Sequence, residues 1–391
     1  MKKPGQIAHE LSVVSRVAGR ALRRRMAGDS GAPVPHDSLR RSWREWLASV
    51  PRDLLTESPI FYLPGDRPPW FDTGIDLEPG EQVTVLAAGR VYMSKLLDIW
   101  VGAHFQLWAR IGPDGEVFRG TRSTWTFRAQ RGGRLYLASY FPGEWGDRQG
   151  RLGTPENDYR NASGGISVLL LRWARGTDPA AALAELAGRD GSPALVQAEA
   201  TRLQNPGVIP EGWQYLWYLG PAEIFRRTDA AMACHTHCDV GILQKDAPMP
   251  LTPDTRVRWS WRVHELPSEL AEDTLPTHDY LSVAVEFDNG QDLSYVWSAE
   301  LPPGRVYRCP LPTWKDRETH MVLRSGTREL GRWLDEDRNV YEDYRRAVGE
   351  PPGGIVRVWL IANSIFQRRH GRCEFRDLRL ANAGESLPII E

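Results

Sequence analysis

Alternating apolar and polar residues predict the strands of the C-terminal half of the chain. In the segment 256–264, valine and tryptophan alternate with arginine, serine and histidine. Because successive side chains of a strand point to opposite faces, this segment predicts a strand with one apolar and one basic face. The segments 280–287 and 293–298 repeat the alternation on either side of an Asn-Gly turn. We therefore expect a β-sandwich whose core contains Trp259 and Trp261.

The N-terminal half predicts a second β domain behind a helical arm. Strand patterns separated by turns that contain Gly and Pro recur between residues 60 and 173. Before them, apolar residues recur at helical spacing from Ile7 to Leu22. We predict an all-β fold with two jelly-roll-like β-sandwich domains, a helical N-terminal arm and a short helical connector. The predicted division is an arm at 1–58, a first sandwich at 59–174, a connector at 175–212 and a second sandwich at 213–391.

Composition narrows the function classes. The 391 residues carry a formal net charge of −1, which argues against nucleic acid as a partner. The four cysteines are too few for the framework of a disulfide-rich secreted domain. We find neither an apolar stretch of about 20 residues, the length of a membrane span, nor the apolar core of a secretion signal. We therefore expect a cytoplasmic protein, with a peripheral place at the membrane as the alternative.

The basic N-terminal arm has two interpretations. Residues 1–55 contain 11 lysines and arginines and 5 aspartates and glutamates, a net charge of 11 − 5 = +6. In the first interpretation, amphipathic helices pack on the body of the protein or on a partner protein. In the second, residues 1–35 lie on an anionic membrane surface.

Three stretches of the first sandwich resemble a known family. Residues 70–89 contain Trp-Phe-Asp-Thr-Gly-Ile-Asp-Leu followed by Pro-Gly-Glu, residues 141–147 read Phe-Pro-Gly-Glu-Trp-Gly-Asp, and residues 161–165 read Asn-Ala-Ser-Gly-Gly. These stretches resemble the PA-I type bacterial galactophilic lectins, small jelly-roll sandwiches that hold a sugar through a calcium ion. The resemblance implies a saccharide ligand. The binding residues that it implies are Glu144, Trp145 and Asp147.

This sequence departs from the lectins at the calcium loop. Tyr140 stands where the family has an aspartate, and Glu144 stands for a threonine. Asp147 and Arg148 stand for two asparagines. Calcium requires several hard oxygen ligands, and an arginine among them opposes a cation. We therefore expect no calcium at the Pro142–Gly146 loop.

The second sandwich resembles a bacterial domain family of unknown function. The matching motifs are Trp-x-Trp-Arg at 259–262, Asp-Tyr at 279–280 and Tyr-x-Trp at 295–297. No activity comes with this resemblance. The candidate binding residues in this region are Arg258, Arg262, Asp279, Tyr295, Trp333 and Asp343. Of these, we expect Trp333 and Asp343 to lie in a long non-strand segment that covers a cleft on the polar face of the sheet.

His235 and His237 form the sharpest local feature of the sequence. Two residues apart on a strand, they share one face and could both ligate one metal ion. A carboxylate such as Glu286 or Asp279 would complete that site. The alternative is a pair of hydrogen-bonded histidines on a polar sheet face. Because no third ligand has a matching spacing, we expect no metal at the two histidines and no other cofactor.

The polar positions of the predicted strands form a second group. If their faces align, Glu286 and His320 meet Arg258 and Arg262, and the two histidines described above face the same cleft. Arginine pairs bind carboxylates and phosphates, and a carboxylate beside a histidine suits acid/base catalysis. The alternative is ordinary ion pairing between neighbouring strands.

We therefore hypothesise a binding protein for a saccharide or another small polar ligand. The alternative is an enzyme of the hydrolase, lyase or isomerase type, with its active site on the polar face of the second sandwich. Its candidate catalytic residues are His235, His237, Glu286 and His320. The sequence lacks the Gly-x-Gly-x-x-Gly, Walker A, Gly-x-Ser-x-Gly and His-Glu-x-x-His motifs, which argues against several common enzyme classes.

Overall fold

The computed structural model describes residues 4–26, 33–67, 70–140, 145–153 and 155–391. Strands dominate it, which confirms the predicted all-β class. The chain divides into two units, each described separately below. We call Ala21–Gly207 the N-terminal unit, and Met1–Arg20 together with Val208–Glu391 the C-terminal unit. The fourfold division predicted from the sequence stays a prediction.

The first half of the chain contains most of its helices. Helices α1 (Pro4–Met26) and α2 (His36–Leu47) come first. The strands that follow are β1 (Leu55–Glu57), β2 (Ile60–Pro64), β3 (Trp70–Leu77), β4 (Gln82–Ser94), β5 (Ile99–Gly102), β6 (Leu107–Ile111), β7 (Thr124–Arg128), β8 (Gly133–Ser139) and β9 (Ser163–Trp173). The remaining helices of this half are α3 (Ala103–Gln106), α4 (Pro179–Ala187) and α5 (Ala194–Gln204).

Two sheets build the first sandwich. One has the strand order β1-β9-β4-β5, with β2 paired to β9 and β7 paired to β4, and the other has the order β3-β8-β6. Along β9, Val168 and Leu170 face the core between the sheets. Leu169 and Leu171 belong instead to the apolar cluster that α2, α4 and α5 form on the outer face. Burial on both faces explains why β9 is apolar almost throughout.

The second half of the chain is nearly all strand. Its strands are β10 (Gln214–Tyr215), β11 (Phe225–Arg227), β12 (Met232–His237), β13 (Val240–Pro250), β14 (Arg256–Glu265), β15 (Tyr280–Phe287), β16 (Asp292–Ser298), β17 (Val306–Arg308), β18 (Glu318–Ser325), β19 (Leu334–Asn339), β20 (Gly354–Asn363), β21 (His370–Ala381) and β22 (Ser386–Pro388). A single helix, α6 (Val340–Ala347), follows β19 in this part of the chain.

Two sheets enclose the core of the second sandwich. Sheet I has the strand order β10-β13-β20-β15-β16-β18-β17. Sheet II has the order β11-β12-β21-β14-β19, with β22 paired to β21. Trp259 and Trp261 of β14 are 2% and 0% exposed in the apolar core between the sheets, so their predicted position is confirmed. The alternate residues of each strand therefore reach the outer face of its sheet.

The outer faces of the two sheets differ. On sheet I, Tyr280, Val322 and Trp359 pack in a second apolar cluster with Trp314, which comes from the segment between β16 and β18. On sheet II, the outer residues are polar, and many of them, such as Arg258, are exposed. Only sheet II therefore presents a polar face to solvent along its central strands.

Helix α1 packs on the C-terminal unit up to Arg20. Val13 is 1% exposed, and the Arg16 guanidinium donates hydrogen bonds of 2.8 and 2.6 Å to Glu300. His9 Nε2 lies 2.8 Å from Asp273 Oδ1. These contacts favour the interpretation that the arm packs on the body of the protein, and they give no support to a membrane or protein partner. Residues 1–3 and 27–32 of the predicted arm lie outside the described residues.

None of the described helices is both long enough and apolar enough to span a membrane.

Candidate functional site

Three neighbouring strands of sheet II build the candidate site. Strands β12, β21 and β14 lie side by side, and their outward residues alternate with residues of the core. We call nine titratable residues of this outward set the polar face. Its members are His235, His237, Arg258, Arg262, His264, His370, Arg372, Glu374 and Arg376. Trp333, which precedes β19, contacts this face through two of the arginines.

A row of three histidines occupies one end of the polar face. His237 lies opposite His370 in the register of β12 and β21, and their rings stack with centroids 4.0 Å apart. His235 Nε2 lies 3.1 Å from His370 Nδ1, so one ring donates and the other accepts. Burial, followed by the charges of Arg372 and His370, lowers the pKa of His235. Two of these histidines were predicted to share a face, whereas His370 was missed because only strand pairing brings it alongside.

Two arginines hold Trp333 on the polar face. The Cζ atoms of Arg262 and Arg376 lie 4.9 and 4.1 Å from the centroid of the indole ring. Arg262 also donates from Nε to Glu374 Oε2 at 2.8 Å, and His264 Nε2 lies 2.8 Å from the same oxygen. Burial raises the pKa of Glu374, but these two partners outweigh burial and the pKa lies below its usual value. Glu374 is therefore ionised at neutral pH and fixes the arginine beside the indole.

Glu286 lies on the other sheet, so the predicted single cleft is wrong. It faces outward from β15 in sheet I, where it accepts hydrogen bonds from Arg357 Nη1 at 2.9 Å and Trp359 Nε1 at 3.2 Å. His235 faces outward from sheet II, so both sheets separate it from Glu286. Alternation fixes which residues of a strand share a face, but it does not assign the strand to a sheet.

Three candidate binding residues stabilise the fold and do not line the polar face. Tyr295 lies in the sandwich core and donates its hydroxyl to Asp343 Oδ2 at 3.2 Å. Asp343 also accepts hydrogen bonds of 2.8 and 2.6 Å from Arg338. Asp279 is fully buried and accepts two backbone N–H groups of the segment after β20. The expectation that Asp343 and Trp333 together cover a cleft is therefore wrong.

In the N-terminal unit, Trp145 packs among aromatic residues at the end of the segment that resembles the lectin calcium loop. Trp145 is 3% exposed, and its ring stacks on Tyr140 with centroids 3.7 Å apart. Trp70 stacks on the same indole at 5.1 Å. Residues 141–144, which include Glu144 and most of the Pro142–Gly146 loop, lie outside the described residues. Trp145 is thus a packing residue that contacts Tyr140 and Trp70.

Asp147 binds the backbone of its own turn. Its Oδ1 atom accepts the N–H groups of Gln149 at 3.1 Å and Arg151 at 2.9 Å. Its Oδ2 atom accepts from Arg151 Nε at 3.2 Å. The backbone hydrogen bond from Arg151 is the main cause that lowers the pKa of Asp147. Both carboxylate oxygens are therefore engaged by the turn itself.

His320 belongs to a buried cluster that we did not predict. The residues His278, Cys309, Glu318 and His320 place one ligand-type atom each within 4.8 Å of one another, and all four are buried. His278 Nε2 lies 3.3 Å from Cys309 Sγ, and His320 Nε2 lies 3.4 Å from Glu318 Oε1. Two imidazoles, a thiol and a carboxylate are the donors that hold zinc in proteins.

One part of this cluster was visible in the sequence. Glu318 and His320 are two residues apart on β18, so alternation alone places them on one face. His278 precedes β15 and Cys309 follows β17, and they converge only through the order of strands in sheet I. Burial lowers the pKa of His278 to about 3 and raises the pKa of Cys309, so both side chains are neutral at pH 7.

An open cavity of about 590 Å³ lies at another place in the C-terminal unit. Its lining includes Trp213, Arg227 and Lys245. Lys245 Nζ donates to the carbonyl of Ile389 at 2.9 Å, and Arg227 donates to the carbonyl of Glu391. Both cations are therefore bound to backbone oxygens of the last residues of the chain.

Residues 223–379 match the family model described as Protein of unknown function (DUF3047). The match lies within the second sandwich and agrees with the resemblance of its tryptophan motifs to a family of unknown function. It carries no activity. No curated protein matches the chain.

Several solved structures are similar to this chain. The N-terminal domain of EclA, a PllA-like lectin, is 18% identical and covers 30% of this chain and 97% of its own, with a TM-score of 0.23. A structure of carbohydrate-binding modules from the β-sandwich superfamily is 9% identical. The match covers 85% of this chain and 100% of the other, with a TM-score of 0.22. An ENZbleach xylanase is 10% identical. The match covers 47% of this chain and 86% of the xylanase chain, with a TM-score of 0.27. The neighbours thus include a lectin, as the sequence resemblance implied, but scores this low carry no argument about function.

Proposed function

We propose that this chain binds a saccharide and that the polar face of sheet II is the binding surface. The observation that carries the proposal is Trp333, which Arg262 and Arg376 hold on a solvent-facing sheet. Both guanidinium groups lie over the indole ring, so the part of the ring that they leave uncovered combines an apolar surface with neighbouring hydrogen-bond donors. Sugars present the complementary combination, because the apolar C–H face of their ring is bordered by hydroxyl groups.

The charge of the polar face favours an acidic saccharide. Its nine members comprise four arginines and four histidines, with Glu374 as the carboxylate. At its border, each of the three arginines other than Arg262 has a carboxylate within 4 Å that partly neutralises it: Arg258 Nε lies 3.1 Å from Asp337, Arg372 Nε lies 3.7 Å from Glu265, and Arg376 Nε lies 3.4 Å from Asp377. Arginine binds carboxylates through paired hydrogen bonds, so a uronic acid would meet both the donors and the indole. Polygalacturonate is therefore the preferred probe, and galactan is its uncharged counterpart.

The resemblance of the first sandwich to galactophilic lectins supports the class of ligand. Because those lectins are galactophilic, we chose two probes with the galacto configuration. It does not support the lectin loop as the surface, because Trp145 is buried and both carboxylate oxygens of Asp147 bind the turn.

The enzyme alternative lacks an assembled site. Acid/base catalysis requires the acting groups to reach one substrate within hydrogen-bond distance. His235 and Glu286 belong to different sheets, and His320 is fully buried under the cluster that covers sheet I. A binding surface requires no such convergence, and the polar face is exposed along three neighbouring strands.

Affinity electrophoresis in gels that contain polygalacturonate or galactan tests the proposal. We expect polygalacturonate to retard the full chain more than galactan does, and added salt to weaken the effect. Trp333→Ala should remove most of the retardation. Trp217→Ala is the matched control, because this tryptophan contacts Tyr218, which packs on the cluster covering the opposite sheet.

The same gels can contradict the proposal in two ways. Equal retardation of the wild type and Trp333→Ala would remove the polar face from consideration. Loss of retardation in Trp70→Ala alone would place the ligand in the first sandwich. The absence of retardation by either polysaccharide would contradict the saccharide class itself.

A further inference from the structure

We infer that His278, Cys309, Glu318 and His320 form a zinc site that fastens the cover of sheet I. The cover is the segment 299–317, which connects β16 to β18 and contains β17 and Cys309. The site lies on the face of the sandwich opposite to the polar face. It is therefore independent of saccharide binding and of the residues proposed for it.

The separations between the donor atoms match a tetrahedral zinc shell. Zinc–nitrogen bonds of about 2.0–2.1 Å and zinc–sulfur bonds of about 2.3 Å place neighbouring ligand atoms about 3.3–3.7 Å apart. The His278 Nε2 to Cys309 Sγ distance is 3.3 Å, and the His320 Nε2 to Glu318 Oε1 distance is 3.4 Å. Because all four donors lie within 4.8 Å of one another, small side-chain rotations bring the other pairs to the same spacing.

His278 is already oriented as a ligand. Its Nδ1 atom donates to the backbone carbonyl of Glu272 at 2.7 Å, which fixes the neutral tautomer. The lone pair of Nε2 then points toward Cys309 and the centre of the cluster. Histidines that bind metals commonly donate their other ring N–H to a carbonyl in this way.

Glu318 has hydroxyl partners but no lysine or arginine. Tyr280 donates to its Oε1 atom at 2.9 Å, and Ser294 lies 3.4 Å from the same atom. Within the part of the chain that the structure describes, its ion-pair partner is His320. A buried carboxylate whose partners are hydroxyl groups and one imidazole is costly, and a divalent ion would supply a permanent positive charge.

His320 gives the independent sign that a ligand belongs here. Both of its ring nitrogens are buried and make no hydrogen bond of normal geometry to a described residue, although Nε2 lies 3.4 Å from Glu318 Oε1. Tyr307 stacks on the ring with centroids 4.8 Å apart and an interplanar angle of 8°, which holds the ring without satisfying its nitrogens. Buried polar atoms in proteins almost always have a partner. A metal ion at the centre of the cluster would be the partner of Nε2.

Zinc binding also balances the charges of the cluster. The ion replaces the thiol proton of Cys309, which leaves to solvent, and a zinc–thiolate bond forms. One dication then meets one thiolate and one carboxylate, so the buried centre is neutral. Four protein ligands leave no open position, which is typical of structural and not of catalytic zinc.

Metal analysis of the full-length chain tests the inference. Protein produced in zinc-supplemented medium should retain a stoichiometric zinc ion, and chelation should lower its thermal midpoint. Cobalt substitution should produce a sulfur-to-cobalt charge-transfer band, because a thiolate is among the ligands. Cys309→Ser should lose this band, and Cys238→Ser should keep it. Cys238 is the matched control because it follows His237 at the surface row of histidines.

Three outcomes would overturn the inference. Zinc-free protein whose midpoint does not rise when zinc is added has no such site. A cobalt band lost in Cys238→Ser, or zinc lost in His370→Ala, would place the metal at the surface histidines. If Cys309→Ser does not fold, the spectra of the wild type and Cys238→Ser and the zinc content of His370→Ala still decide between the two places.

Discussion

The Nε2 atom of His235 lies 3.1 Å from Nδ1 of His370, across neighbouring strands of sheet II. Burial lowers the pKa of His235, and the positive charges of Arg372 and His370 act in the same direction. His235 is therefore neutral at physiological pH. The permanent positive charge of the polar face comes from its arginines, so ligand binding at neutral pH does not require a protonated His235.

Removal of one histidine should change the pKa of the other. We expect His370→Ala to raise the pKa of His235 toward the ordinary value of about 6.5, measured by NMR titration of the imidazole protons. His264→Ala is the control, because that ring binds Glu374. A pKa of His235 at or above about 6.5 in the wild type would contradict the lowered pKa described above.

The same shift predicts how stability depends on pH. The pKa of His235 is lower in the folded than in the unfolded protein, so the unfolded chain binds more protons between the two values. The contribution of this group to stability is therefore complete above the unfolded value of about 6.5 and is lost progressively as the pH falls from there through the lower pKa of the folded state. In His370→Ala, this loss should be smaller in denaturant titrations between pH 7 and pH 5.

Asp147 should stabilise its turn without calcium. Asp147→Ala should lower the thermal midpoint by the same amount in calcium and in a chelator, because the aspartate binds N–H groups of Gln149 and Arg151. Asp147→Asn keeps an oxygen at the Oδ1 position and should retain most of the midpoint. A rise in the wild-type midpoint with calcium that disappears in Asp147→Ala would show that the lectin-type site is present.

Helix α1 offers a matched pair of positions on its two sides. Val13 is 1% exposed, whereas Leu11 is 65% exposed. Val13→Asp should release the helix, because burial of an unpaired carboxylate is costly, and trypsin should then cleave after Arg16 and Arg20 several-fold faster. Leu11→Asp should leave the cleavage rate unchanged in mass-spectrometric time courses. Equal rates in both variants would mean that the helix does not depend on this contact.

The core of the second sandwich gives a stability scale. Leu360 is fully buried between the sheets, so Leu360→Ala should lower the free energy of unfolding of this unit by about 2–5 kcal/mol. Leu275 is 42% exposed, so Leu275→Ala should change the free energy of unfolding by less than about 0.5 kcal/mol. Denaturant titration followed by tryptophan fluorescence measures both. A comparable loss in both variants would contradict the described core.

Alternation along single strands predicted the core but not the site. Trp259 and Trp261 were assigned correctly because the face of a strand depends only on its own sequence. The meeting of His235 with Glu286 was predicted wrongly because it depends on which sheet each strand joins. That choice follows from long-range pairing of β12 with β21 and of β15 with β20, which no local pattern encodes.

The buried cluster was likewise only partly predictable from the sequence. Glu318 and His320 are local neighbours, and strand parity joins them. Cys309 reaches them because β17 pairs with β18 at the edge of sheet I, and His278 because it leads into β15. A cysteine alone in its segment and a histidine before a strand give no signal until the strand order is known.

Hydrogen–deuterium exchange of the full chain with and without polygalacturonate tests the central claim most directly. The account predicts slower exchange in β12, β14 and β21 and around Trp333 when the polysaccharide is present. It predicts no change in β15 and β18 on the opposite face of the sandwich. Protection confined to residues 70–140 and 145–153, with none in sheet II, would contradict the polar face as the saccharide-binding surface.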